Sequence, residues 1–498
     1  MQSPTRYLAA RSAKLLTLVA LMAPGALLVG CESTEYATKA EAVVEVPDAD
    51  AGTVVEGPEV DQWCTDFDST ELENLVETSF EGNLGLRAAF ARARQARAAA
   101  EGQKAVLWPW LNTDAGVTQQ RTDIGSQFGA DLPTGGGAAQ EPDFFSTEDS
   151  FTTYRGSVAA SYEVDLWGKN RSRWNAAQLD ADAARAQAEA LAITLTSQIA
   201  DNWLEVAYQR ERIALLEAQI ETSEKFYDLL VVRLSRGEAT ALDVTQQQQN
   251  LESLRGQLSL AVSAEAIARN ALAVLVGKPP QKQLDIERRE LPAVEALPSA
   301  GVPADLLERR PDLRAAMSRL RAADKRTEAA VAERLPSLQL SLNLSVQATE
   351  LAELFDQLLY SLGASLSQPI FQGGRLTAQI EQSEAVAEEA LYDYAQTLLT
   401  ALQEVQDALI REQYQRDFVE SLQSQLAASQ RALRLAGDRY RLGAVDYLRV
   451  LDSIQALQRT QQNLLDAKRQ QLSTRVGLCR ALGGTWTRDL HEPQGVQP

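Results

Sequence analysis

Beyond Pro336 the chain alternates strictly, with Leu338, Leu340, Leu342, Leu344 and Val346 on one side and Gln339, Ser341, Asn343 and Ser345 on the other. A period of two over that length predicts a strand with one apolar face. The return segment does the same, Tyr360, Leu362, Ala364 and Leu366 alternating with Ser361, Gly363, Ser365 and Ser367 up to Pro369. A weaker alternation runs through Leu111, Thr113, Ala115 and Val117, and a clearer one through Tyr154, Val158, Ala160, Tyr162 and Val164. The pattern predicts two hairpins, with strands over about 110–118 and 153–165, then about 337–346 and 359–368. Residues 119–152, rich in Gly and Pro, read as a surface loop, and 347–358 as its shorter counterpart.

The rest of the periodic sequence is helical. Residues 169–234 contain no proline and lie between Gly168 and Gly237. Ile199, Trp203, Val206, Ile213, Leu216 and Ile220 mark one face, and Leu391, Tyr394, Leu398, Leu402, Val405 and Leu409 repeat it later. A helix of that length extends about 100 Å at 1.5 Å per residue. Gly237 and Gly443 stand where a C-terminal cap glycine belongs, and Thr240 and Asp446 three residues on are natural N-caps. Each glycine therefore marks a tight turn between antiparallel helices.

The chain is written twice. Leu86-Arg87-Ala88-Ala89, Pro109 and Leu111 recur 227 residues later as Leu313-Arg314-Ala315-Ala316, Pro336 and Leu338. Gly237, Leu242, Val244, Leu251, Leu272 and Gly277 recur after 206 residues as Gly443, Leu448, Val450, Leu457, Leu478 and Gly483. The reading is a first repeat over 63–285, a linker over 286–304, a second repeat over 305–485 and a tail over 486–498. The fold class is mainly α with transmembrane β, since strands apolar on one face and Ser/Asn/Gln on the other suit a barrel with a wet lumen. Four strands cannot close a barrel, and open edges are not tolerated in lipid, so several chains must contribute.

The first residues add a location. A basic stretch (Arg6, Arg11, Lys14), an apolar run and Leu28-Val29-Gly30-Cys31 form a lipoprotein signal peptide over 1–30, with Cys31 as the lipidated residue. Residues 31–62 read as an acidic, mostly extended tether. Removing the signal peptide leaves 68 acidic against 45 basic side chains, a net of −23, which argues against nucleic acid. The single histidine is His491, so neither a metal site nor a catalytic triad finds its residues, and no cofactor or enzymatic activity is expected.

With these features in place the chain resembles the TolC-like outer-membrane factors, in their NodT-type lipoprotein branch serving resistance-nodulation-division (RND) efflux pumps. The resemblance is carried by the lipobox, by Leu306-Leu307-Glu308-Arg309-Arg310-Pro311-Asp312-Leu313, and by Pro369-Ile370-Phe371-Gln372-Gly373-Gly374-Arg375. Arg439-Tyr440 with Gly443, then Asp446-Tyr447-Leu448 and Val450-Leu451-Asp452, complete it. It implies a homotrimer with a 12-stranded β-barrel in the outer membrane on a 12-helix periplasmic α-barrel. The partners implied are a periplasmic membrane-fusion adaptor, an inner-membrane pump of RND type and outer-membrane lipid. The function implied is an exit duct for small organic or drug-like molecules; a type I secretion or metal-efflux duct of the same fold is the alternative, ahead of an adaptor or a structural coiled-coil lipoprotein.

The resemblance also nominates residues. The tips, Arg236-Gly237-Glu238 and Leu442-Gly443-Ala444, are expected to dock the adaptor. Asp452 stands where the family places a pore-facing carboxylate, while Arg449 replaces a second one, so a salt-bridged ring of Arg449 and Asp452 is expected to close the periplasmic gate. A solvated outward face is the plainer reading of Asp452. Asp243 belongs to the same gate set, with a capping box on Thr240 as its competing role. Cys64 and Cys479 replace residues usual in the family; a disulfide between them is one expectation, two independent buried thiols the other.

Overall fold

The computed structural model describes residues 36–43, 67, 69–123, 148–280, 284, 286–293 and 310–484. They divide into two compact units, the first holding Tyr36, 100–123, 148–176 and 323–387, the second the other described residues.

The first unit is built on a four-stranded antiparallel sheet in sequential order: β1 (Trp110–Asp123), β2 (Glu148–Val164), β3 (Ser337–Ala348) and β4 (Leu358–Ser367). Its register stacks the apolar positions across all four strands. Leu111 pairs with Ala160, Ala160 with Leu342 and Leu342 with Leu362; Thr113, Val158, Leu344 and Tyr360 form the next row. The alternate rows are polar, as in Asn112, Ala159, Asn343 and Ser361. A shift of one residue in β3 would put its Leu side chains on the Ser/Asn face, so the pattern fixes its pairing. The first hairpin reaches further than its alternation suggested, through Gln119↔Thr152 and Gln120↔Phe151 to Asp123↔Glu148. Apart from Phe151 these residues are polar on both faces, so the ladder continues where the period-two signal stops. β3 likewise takes in Gln347 and Ala348, and a 3-10 turn at Leu351–Glu353 occupies the connection to β4.

The acidic tether also needs correction: helix α1 (Tyr36–Val43) forms inside it. Its sequence is rich in alanine, a strong helix former. The Tyr36 N–H donates to Asp324 Oδ1 at 3.1 Å.

Helices dominate the second unit, and the repeat shows in their lengths. α3 (Leu84–Ala105) and α6 (Pro311–Ala332) have 22 residues each, α4 (Lys169–Ser235) and α7 (Arg375–Arg441) 67 each, α5 (Ala241–Leu275) and α8 (Tyr447–Ala481) 35 each. A shorter helix, α2 (Thr70–Gly82), precedes α3, with the Ser69 hydroxyl capping it through Leu72 N. The main core gathers Leu72, Leu86, Ile199, Trp203, Leu204, Leu272, Val476 and Cys479 from five of these helices. Trp203 donates its indole N–H to Glu71 Oε2, and the Arg288 guanidinium lies over its ring. The described part of the linker packs on α4: Arg210 Nη1 donates to the carbonyls of Ile286 and Arg288, and Leu291 N to Glu211 Oε2.

Candidate functional site

Both hairpin tips end in the same backbone turn. Glu238 N donates to Arg233 O and Gly237 N to Leu234 O; Ala444 N donates to Arg439 O and Gly443 N to Tyr440 O. These paired bonds satisfy the last carbonyls of α4 and α7, and they require a left-handed residue, which Gly237 (φ 72) and Gly443 (φ 71) supply. Arg236, Gly237, Glu238, Leu442, Gly443 and Ala444 are all exposed, Leu442 to 83%. The next helices start on side-chain caps. In α5 Thr240 and Asp243 form a reciprocal capping box. In α8 the Asp446 carboxylate caps Arg449 N, but Arg449 itself cannot return the bond. The repeat thus carries an acid in the first turn of α5 and a base in the first turn of α8, the latter against the helix dipole.

A cation–ring contact ties the two tips together and a ring–ring contact braces the second. The Arg233 guanidinium stacks on the Tyr440 ring with 4.6 Å to the centroid, and Tyr440 meets Tyr447 edge-on at 5.7 Å. Arg233 also pairs with Glu238 at 3.4 Å. Tyr447 is buried, and burial, followed by the neighbouring Tyr440 and Asp243, pushes its hydroxyl pKa up. It remains a donor at any working pH and gives its proton to Gln247 Oε1 at 2.9 Å. Arg233 recurs as Arg439 at the 206-residue offset, a signal the sequence reading passed over.

Asp452 and Arg449 are both exposed on α8, and among the described residues no ion pair joins them within one chain. Asp452 instead borders a groove between α5 and α8 lined by Gln246, Gln249, Ser253, Gln257, Gln455 and Arg459. Cys479 is buried in the core that also holds Phe67, whereas Cys31 and Cys64 lie outside the described residues. Among the described residues no cluster of His, Cys, Asp and Glu could hold a metal.

Comparison with known proteins agrees with this architecture. The outer membrane efflux protein family matches over residues 75–278 and 302–484, one segment per repeat. The pyoverdine export outer membrane protein OpmQ of Pseudomonas aeruginosa is 33% identical over 438 residues, covering 86% of this chain and 89% of that protein. The toluene efflux pump outer membrane protein TtgF of Pseudomonas putida is 31% identical over 445 residues, covering 87% and 88%. Among solved structures the outer-membrane channel OprN superposes with a TM-score of 0.79 at 27% identity, over 89% of this chain and 96% of its own. This chain, a TolC-like outer-membrane exit duct of an efflux system, belongs to the outer membrane efflux protein family.

Proposed function

We propose that three copies of the chain, each lipid-anchored at Cys31, close into one duct. It takes small organic molecules from an inner-membrane pump of RND type and a periplasmic adaptor, without catalysing any reaction. The observation that carries this reading is that the sheet is open at both edges and the helical bundle exposes rows of apolar side chains. A sheet of four strands is half of what the smallest barrel requires, and its edges β1 and β4 need partners in lipid. In the body of the bundle, away from the tips, α4 bonds to α5 (Arg210–Glu265) and to α8 (Arg469–Glu205), and α8 to α7 (Arg475–Glu412), which puts α5 and α7 at the two ends of this row. Each carries exposed apolar side chains at coiled-coil spacing: Leu260, Ile267 and Val274 on α5, Tyr392, Leu399, Ile410 and Tyr414 on α7. Such faces fit a heterologous contact in which α5 of one copy meets α7 of the next and the ring closes. Relatives named for pyoverdine, toluene and antibiotic export support small organic cargo. Deleting the gene is expected to raise susceptibility to several organic antibiotics or solvents, restored by the intact gene. Sensitivity confined to metal salts would contradict the cargo assignment.

A further inference from the structure

Near the tips α4, α7 and α8 are held together by an apolar cluster of Leu230, Ala436, Tyr447, Val450, Leu451 and Ile454, against which Val244 of α5 packs. Further along, separate clusters hold the body: Leu216, Leu254 and Ala261 in one, Val419, Leu422, Leu464 and Ala467 in another. Between them lies a layer of buried polar side chains. Along α4 the buried order runs Leu216, then Gln219 and Ser223, then Leu230; along α8 it runs Ile454, then Gln458, then Leu464. On α5, Gln247 and Asn250 occupy the same level, with Leu251 the apolar exception beside them.

The layer is hydrogen-bonded throughout. Asn250 Nδ2 and Gln458 Nε2 both donate to Ser223 Oγ at 3.3 Å, and Gln247 Nε2 donates to the Ser223 carbonyl at 2.8 Å. Gln219 donates to Gln461 Oε1 at 2.8 Å and accepts from Gln462 Nε2 at 3.2 Å. The Tyr447 hydroxyl joins the tip cluster to the layer through Gln247. Separating two apolar surfaces exposes area that water does not solvate. Amides and hydroxyls can exchange their partners for water at small net cost, so a polar layer is the weaker seam in a helical bundle.

We propose that this layer is a joint: the tip segments of α4, α5, α7 and α8 move as one body on the rest of the bundle, and opening of the duct's periplasmic end bends here. The bending at an opening end rests on the exit-duct reading; the mobility of the tip does not, and it is measurable without any cargo. The experiment is hydrogen exchange followed by mass spectrometry on the full-length protein in detergent. Tip peptides (226–244 and 433–454) are compared with body peptides (199–216 and 464–478). The tip is expected to exchange as a block about ten-fold faster than the body. A variant combining Ser223→Ala, Gln247→Leu and Gln458→Leu, which carries the apolar core through the layer, should slow tip exchange by about ten-fold. Tyr447→Phe, which removes one hydrogen bond and little else, should speed it by about three-fold and serves if the triple variant does not assemble. Equal tip and body rates in the wild type would overturn the joint. So would an unchanged tip rate in an assembled triple variant, or in Tyr447→Phe should the triple variant not assemble.

Discussion

Arg310 sits where the second repeat begins, and one guanidinium holds three elements there. It forks onto Asp312 (2.7 and 3.1 Å), reaches Glu404 on α7 at 2.8 Å and donates to the Ala481 carbonyl at the end of α8 at 3.0 Å. Burial alone would lower its pKa, but the hydrogen bonds and charges of Asp312 and Glu404 prevail and raise it. Burial raises the Asp312 pKa in turn, and the Arg310 bond outweighs that, leaving the carboxyl below its ordinary range. A lowered carboxyl pKa contributes stability above the unfolded value, about 4, and loses it as pH falls through the folded one. Arg310→Ala should therefore cost about 2 kcal/mol, the lower part of the charged hydrogen-bond range because the carboxylates stay half wet. Asp312→Asn should be less stable than wild type at pH 7, and the gap should shrink as pH falls through the lowered carboxyl pKa. Thermal unfolding across that pH range measures this, and equal midpoints at pH 7 would refute it. At the N-terminus, the Cys31 assignment predicts that labelled palmitate enters the wild type and not Cys31→Ser. Label persisting in the mutant would sink it.

The helical hairpins illustrate the element scale. A Cβ at Gly443 would meet nothing within 4 Å, so a side chain there points into open space and strains only the left-handed backbone. That strain is worth about 1–2 kcal/mol. Gly443→Trp should thus leave assembly intact and abolish export if the tip docks an adaptor; loss of the assembled species on a heat-modifiability gel would make the glycine's role structural. The sequence revealed the long helices because their apolar positions recur at helical spacing and glycines stand at both ends. It also revealed β3 and β4 and their apolar faces, where Leu alternates with Ser. It did not reveal the outer part of the first hairpin, whose Gln and Thr carry no alternation, nor α1, hidden in an acidic composition. The Arg233–Tyr440 stack was equally invisible, because it joins residues from different repeats that only tertiary packing brings together. The capping half of Asp243 was legible from Thr240 alone, being local.

At the scale of the whole molecule, the proposed duct forms when copies join through the exposed apolar side chains of α5 and α7. In the proposed trimer, closure of the periplasmic end would depend on what three α8 helices present to one another. Arg449 and Asp452 are exposed and make no ion pair with each other inside the chain, so the proposed gate requires them to bridge between copies. Partly exposed pairs are worth about 1 kcal/mol each or less, so removing them should shift the closed population without unfolding the assembly. Single-channel recording of the purified protein in planar bilayers tests the exit duct and its gate together. The account predicts discrete steps of small conductance for the wild type, and larger or more persistent steps for Asp452→Ala and for Arg449→Ala. Folded, inserted protein that conducts no ions in any of the three forms would contradict it.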